Sequence, residues 1–201
     1  MASSIAARAH EAFRLDNDRL AFRLTATLSD RGSDAPQERL TDPARLELWL
    51  GACELAPERD ATDADLSRAI QLREAIYRAG FLATRGERDS TAERQLNRSA
   101  AWGHPVPNLQ HGRRTWLLTG TDSIADSLAV IARDAIDVIG GAQEGRIKVC
   151  SNALCLGLFA DTSRGANRRW CSMNTCGNRA KKARIRGKRQ TLPRKEEDVT
   201  V

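Results

Sequence analysis

No apolar run in this 201-residue chain approaches the roughly 20 residues that a helix needs to cross a bilayer. Residues 1–10 are helical in character, but they carry Arg8 and lack a long apolar stretch, so they do not read as a secretory signal. A cytoplasmic protein with no membrane partner is the expectation. Catalytic patterns are equally scarce. The three histidines, His10, His104 and His111, have no spacing that suggests a metal site, and no Ser-His-Asp, Glu-x-x-His or phosphate-loop pattern occurs. His104 lies in a Gly-His-Pro loop and is expected to face solvent. Paired carboxylates such as Asp16 with Asp18 and Asp63 with Asp65 read as a turn and a helix start. The chain is therefore not expected to be an enzyme. There is no fixed-period repeat, and no low-complexity tract apart from a basic end.

What is present is unevenly distributed. Apolar residues make up 41% of the chain and charged residues 29%, ordinary values for a globular protein. The net charge of +6 conceals a division: residues 146–201 hold 14 Lys/Arg against 4 Asp/Glu, and residues 1–145 hold 18 against 22. Such asymmetry suggests an anionic partner for the C-terminal end, nucleic acid first, with a solubilising tail as the plainer alternative. Cysteines are divided in the same way. Cys53 stands alone at a helix end and reads as a small buried hydrophobe. Cys150, Cys155, Cys171 and Cys176 fall within 27 residues.

The pattern over residues 1–145 is mainly α. An Asp16-Asn17-Asp18 turn between apolar stretches suggests a short β-hairpin running into a helix. Residues 29–37 form a polar loop. Thr41 or Asp42 caps a helix with Pro43 in its first turn and Leu46, Trp49 and Leu50 inward, and Pro57 ends it. Thr62 or Asp63 opens the next, which fades at Gly80. Another begins near Ser90-Thr91 and is broken over residues 103–107. Residues 111–118 read as a short extended stretch. The clearest helix covers residues 123–139, with Ile124, Leu128, Ile131, Ala135 and Val138 in one stripe and Gly140-Gly141 as its stop.

Residues 146–192 read as a small module, followed by a polar tail, 193–201. The pattern Cys150-x4-Cys155-x15-Cys171-x4-Cys176 supplies four sulfurs from two tight turns, as one tetrahedral zinc requires. Four thiolates leave no open coordination position, so the zinc is expected to be structural. A redox dithiol pair is the competing reading, because thiolates near many cations are easily formed. A hairpin of Leu156-Gly157-Leu158-Phe159 with Arg168-Arg169-Trp170-Cys171 would join the two ligand pairs. Gly177 would supply the turn beside the metal and Asn178 the cap of a basic helix. Arg179, Lys181, Lys182, Arg184, Arg186, Lys188 and Arg189 lie on that helix, with Ala180, Ala183 and Ile185 packing inward. Trp170 beside a ligand reads as a packing residue that shields the metal, in preference to a base-stacking one. Arg168 and Arg169 alternate, so that one faces the module and the other can reach a phosphate.

The stretch Trp170-Cys171-Ser172-Met173-Asn174-Thr175-Cys176-Gly177-Asn178-Arg179 closely resembles the signature of bacterial CGNR zinc-finger proteins. The likeness extends back through Leu158-Phe159-Ala160-Asp161-Thr162-Ser163-Arg164 and the first cysteine pair, and forward through Ala180-Lys181. Ahead of the finger, residues 13–145 resemble in outline the ABATE domain that precedes it in that family. Residues 41–50 match its Leu-x-x-Trp-Leu helix, Leu72-Arg73-Glu74-Ala75 its second helix and residues 122–140 its last. Where the family has Leu-Asp-Phe-x-Asn-Thr, this chain has Phe22-Arg23-Leu24-Thr25-Ala26-Thr27, so Arg23 and Ala26 replace the acid and the amide. The resemblance implies a bacterial transcription regulator whose zinc module binds DNA.

On that reading duplex DNA is the expected partner, with RNA or an acidic protein surface as rivals. Arg179, Lys182 and Arg186 share one helix face suited to a major groove, while Lys181, Arg184, Lys188 and Arg189 hold phosphates. The helical domain would serve dimerisation, ligand sensing or both. The sequence names no small-molecule effector and leaves a homodimer open.

Overall fold

The computed structural model describes residues 12–141 and 146–190, with side chains in the last helix described to residue 186. The tail 193–201, residues 1–10 with His10, and the side chains of Lys188 and Arg189 lie outside the described residues.

Six α-helices and three two-stranded ladders make up the described chain. The first helix, α1 (Leu20–Thr25), buries Ala21, Phe22, Leu24 and Thr25. Its first turn has no side-chain cap of its own. The free Ala21 N–H donates instead to the Asp134 carboxylate at 2.9 Å, and Arg19 pairs with the same group at 3.0 Å. No hairpin forms around Asp16-Asn17-Asp18, contrary to the sequence expectation. Asn17 is buried and its side-chain amide donates to the Leu158 carbonyl at 3.0 Å, so the turn leads straight into α1. The short ladder nearest to it is β1 (Leu28–Ser29) with β2 (Gln37–Glu38), which closes the polar loop.

The second helix, α2 (Pro43–Ala52), starts as its sequence dictates. The Asp42 carboxylate accepts from the Arg45 N–H at 2.9 Å and Pro43 occupies the first turn. It ends at Ala52, before Pro57, where Cys53 closes the last turn and Glu54 takes a positive φ of 61°. In α3 (Asp63–Ala83), Thr62 and Asp65 form a reciprocal capping box. This helix runs on through Gly80, which is a packing position and not a stop. A Cβ there would come within 2.9 Å of Leu158 and 3.6 Å of Phe22. Asp89 caps α4 (Ser90–Trp102), and Asp122 caps α5 (Ser123–Gly140). The stripe read from residues 123–139 is buried, as are Ala125, Ala129 and Val130 on the other sides, so α5 is the central helix.

Between α4 and α5 lies a hairpin of β3 (Val106–Gln110) and β4 (Arg113–Leu117). Its two-residue turn, His111-Gly112, has φ of 50° and 74°, as turns between twisted strands require. β4 falls in the extended stretch expected over residues 111–118, whereas β3 was not expected, because Pro107 is a poor strand residue except at an edge. His104 is exposed, while its backbone N–H donates to buried Asp126 at 2.7 Å.

The last ladder pairs β5 (Ile147–Val149) antiparallel with β6 (Leu158–Ala160). Ile147, Leu158 and Ala160 belong to the same buried core as Phe22, Trp49, Leu72, Ile76, Ile124 and Ile131. Fully burying a side chain of this size contributes about 1.5–3 kcal/mol, so the small ladder is anchored by the helical body. Among the described residues no helix is long and apolar enough to cross a membrane.

Candidate metal centre

The β5–β6 hairpin has the first ligand pair in its loop. Cys150 follows β5 directly, and its N–H donates to the Gly157 carbonyl at 2.8 Å. Asn152 turns the chain between the pair: its side-chain oxygen accepts from the Leu154 N–H at 3.1 Å, and its carbonyl accepts from the Cys155 N–H at 2.8 Å. Leu156 then takes a positive φ of 49°. The hairpin thus closes over Cys150 and Cys155; the expected one between the two ligand pairs does not form. The strand paired with β6 comes from before Cys150, and residues 167–170 return without joining a ladder. One bond, from the Ser151 N–H to the Arg169 carbonyl at 2.9 Å, ties them to the first turn.

The second pair sits on a wide turn, Met173–Gly177, that runs into α6 (Asn178–Gln190). Ser172 caps it: its hydroxyl accepts from the Thr175 N–H at 3.1 Å, and its carbonyl accepts from Cys176 and Gly177 at 3.0 Å each. Asn178 is not the cap. It is already helical, and its side-chain amide donates to the Asn174 carbonyl at 3.0 Å. The φ of Gly177 is not positive, so no left-handed turn calls for glycine here, and its surroundings are tight only on the Met173 side. A Cβ at that place would meet Met173 at 3.0 Å and Trp170 at 3.5 Å.

The four sulfurs all lie within 4.8 Å of one another. The Cys155–Cys171 and Cys171–Cys176 separations are 3.6 and 3.8 Å. Zinc–sulfur bonds of about 2.3 Å in a tetrahedron place neighbouring sulfurs about 3.8 Å apart, so these thiols fit one zinc with little rearrangement. Cys150, Cys155 and Cys176 are buried, Cys171 is half-buried, and Trp170 packs against them. Hydrogen bonds from Cys155, then Cys171 and Cys176, favour the thiolate at Cys150; the same bonding, from Cys150 first, raises Cys171. Four sulfurs this close hold four negative charges only around a cation, and a divalent metal supplies it. The centre is one structural zinc site. Cys53 lies apart from it, and burial pushes its thiol up to about 12, in keeping with an inert core residue.

Two supporting residues escaped the sequence reading. A Cβ on Gly157 would lie 3.2 Å from the Cys155 sulfur and 3.5 Å from that of Cys171, so a side chain there would crowd the cluster. Asp161 is fully buried and organises the returning loop. It accepts from Lys148 at 2.6 Å, from the Ser163 hydroxyl at 2.6 Å and from the Arg168 N–H at 2.9 Å. The Lys148 ammonium, followed by Ser163, holds its carboxyl well below the usual carboxylate range. The Asp161-Thr162-Ser163 run, a common turn-forming pattern, was the available signal.

The basic residues occupy different surroundings. Arg168 faces the module: its guanidinium donates to the Trp170 and Cys171 carbonyls at 3.0 and 2.7 Å, and lies 4.9 Å from the Phe159 ring centre. Arg169 is exposed, over the outer face of Trp170. Arg179 pairs with Asp30 of the front domain at 2.7 Å. Lys181, Lys182, Arg184 and Arg186 are all exposed. Ala183 and Ile185 are exposed too, contrary to expectation, with Ala180 half-buried, because past its first turn α6 leaves the body. The Arg23 guanidinium donates to the Asn17 carbonyl at 2.6 Å.

In comparison with known families, residues 18–142 match the ABATE family, described as "Putative stress-induced transcription regulator", and residues 146–189 match the CGNR zinc finger. No curated protein matches the chain. The first match alone covers more than half of the sequence and the second takes in the four zinc ligands, so this chain belongs to the ABATE family and carries a CGNR zinc finger.

Proposed function

We propose that this protein is a zinc-dependent, DNA-binding transcription regulator with no catalytic activity, acting in the cytoplasm on the nucleoid. The observation that carries this reading is α6. It springs from the turn that holds Cys176, and every side chain described from Lys181 to Arg186 is exposed, four of the six being cationic. A helix with no packing partner and this much charge gains little from the rest of the chain, and a polyanion supplies what is missing. Arg179, Lys182 and Arg186, three and seven residues along one face, are set to reach base edges in a major groove. Lys181 and Arg184 flank them, and exposed Arg169 stands on the neighbouring loop to take a phosphate. The zinc does no chemistry in this scheme; it fixes the direction in which α6 leaves the body.

Selection from random duplex DNA with the zinc-loaded full chain tests the proposal, followed by a salt titration on the selected site. With about six phosphate contacts, the logarithm of affinity falls with the logarithm of salt with a slope near −5. No duplex affinity at low salt, or affinity indifferent to salt, rules it out. Preference for structured RNA in a direct competition assigns the helix to RNA. Capture of an acidic protein that Arg179→Glu abolishes, with negligible nucleic-acid binding, assigns it to a protein surface.

A further inference from the structure

Arg179 differs from the other cations of α6. Among the described residues it alone on that helix has a carboxylate partner, and the partner lies 149 positions earlier in the chain. The Asp30 Oδ1 accepts from the Arg179 Nη1 at 2.7 Å, and Oδ2 from Nη2 at 3.4 Å. Two N–H groups of one guanidinium therefore face two oxygens, the forked geometry with which arginine also grips the O6 and N7 of a guanine in the major groove. Asp30 is held for this contact. It follows β1 with a positive φ of 55°, a conformation that Asp and Asn adopt more readily than other side chains. Its carbonyl accepts from the Ser33 N–H and hydroxyl at 3.0 and 2.8 Å. Arg14 braces it at 3.5 Å and reaches on to the Cys155 sulfur at 3.9 Å. The Asp30 side chain is only 14% exposed, whereas that of Arg179 is 47% exposed and open to a competitor. Burial alone would raise the Asp30 carboxyl, but Arg179 and Arg14 outweigh it and keep the group charged.

We propose that Asp30 is an internal stand-in for the major-groove atoms that Arg179 reaches: it occupies the guanidinium in the free protein and has to be displaced when duplex DNA binds. The front domain thereby restrains the finger through one ion pair. A change in the front domain that moves the β1–β2 loop frees the guanidinium, and one that tightens the loop withholds it. This inference rests on the DNA-binding reading of α6.

Asp30→Asn tests it in the zinc-loaded full chain, since asparagine keeps the shape and tolerates the backbone conformation. Binding is measured against a fluorescein-labelled random-sequence duplex at about 0.15 M salt. The variant is expected to bind about two- to five-fold more tightly than the wild type, the range set by the loss of one partly exposed ion pair. Removing any negative charge near DNA could give such a gain, so Arg179→Gln is made in both backgrounds. It costs more affinity in the Asp30→Asn chain than in the wild type if Asp30 acts through Arg179. Equal costs in the two backgrounds, or an Asp30→Asn chain that binds no better than the wild type, overturn the inference while leaving DNA binding intact. Absence of binding by both chains overturns the DNA-binding reading, and this inference with it.

Discussion

In the helical body, Phe22, Trp49, Leu72, Ile76, Ile124 and Ile131 lose essentially all contact with water, and the Asp42, Thr62–Asp65, Asp89 and Asp122 caps close the helix ends. Around the cysteines, among the described residues, Trp170 is the apolar side chain packed on the buried thiols. The body is thus stabilised by apolar area and the knuckle by metal–sulfur bonds. The two are nonetheless physically continuous. Ile147, Leu158 and Ala160 carry the knuckle's ladder into the body's core. Gly32 donates its N–H to the Leu154 carbonyl at 3.1 Å, and the Tyr77 hydroxyl donates to the Leu156 carbonyl at 3.1 Å. A Cβ on Gly32 would lie 2.0 Å from the Ala153 oxygen, so the two surfaces meet backbone to backbone.

The largest effect is expected from Cys171→Ser. Structural zinc contributes about 10–16 kcal/mol in finger peptides, and three sulfurs hold it poorly. Bound zinc falls well below one per chain, and amide signals from residues 150–177 collapse. Most helical circular dichroism survives, but the melting temperature of the helices drops because their core loses its anchored ladder. An unchanged melting temperature would mean that the body does not depend on the knuckle and that the finger is a passenger.

Asp65→Asn probes the body alone. Asp65 is buried, accepts from Arg59 at 2.7 Å and from Arg68 at 3.1 Å, and completes the capping box of α3. The variant is expected to lose about 2 kcal/mol at neutral pH without loss of zinc. The Arg59 hydrogen bond, reinforced by Thr62, holds the Asp65 carboxyl far below its usual value despite burial. Its contribution is therefore complete above the unfolded carboxylate value near pH 4 and disappears only as the pH falls through the lower folded value. The stability gap between wild type and variant, measured by denaturant titration, stays constant above about pH 5 and closes in strong acid. A gap that widened on acidification would refute this.

The smallest effect sharpens the seam. Tyr77→Phe removes one hydrogen bond to the knuckle and is expected to cost about 1 kcal/mol, seen as a small fall in melting temperature. If the seam carries coupling, zinc affinity weakens with it; a loss of stability with zinc affinity unchanged confines Tyr77 to the body.

Much of this was legible in the sequence wherever cause and effect are close along the chain. Asp42-Pro43 announces α2, the stripe from Ile124 to Val138 announces α5, and the spacing of four cysteines announces the metal. What was hidden depends on residues far apart. Asp18 and Asp30, the carboxylates facing Arg168 and Arg179, lie 150 and 149 positions away from them. Ser172 took the cap expected of Asn178, because the chain makes a wide turn before its helix begins. Gly80 read as a stop because nothing local says that Leu158 will press against it. Ile185 read as inward because an amphipathic pattern assumes a surface to pack on, and past its first turn the described part of α6 has none.

The shared core at Ile147, Leu158 and Ala160 also has a consequence in mass action. A ligand that binds only the folded chain stabilises everything that must fold with its site, by about 1.4 kcal/mol for each tenfold rise in free ligand above its dissociation constant. Zinc availability therefore bears on the helices, which touch no metal, as directly as on the cysteines. A cell poor in zinc would hold less of the whole folded protein, and whatever α6 does would follow the metal through the amount of folded chain.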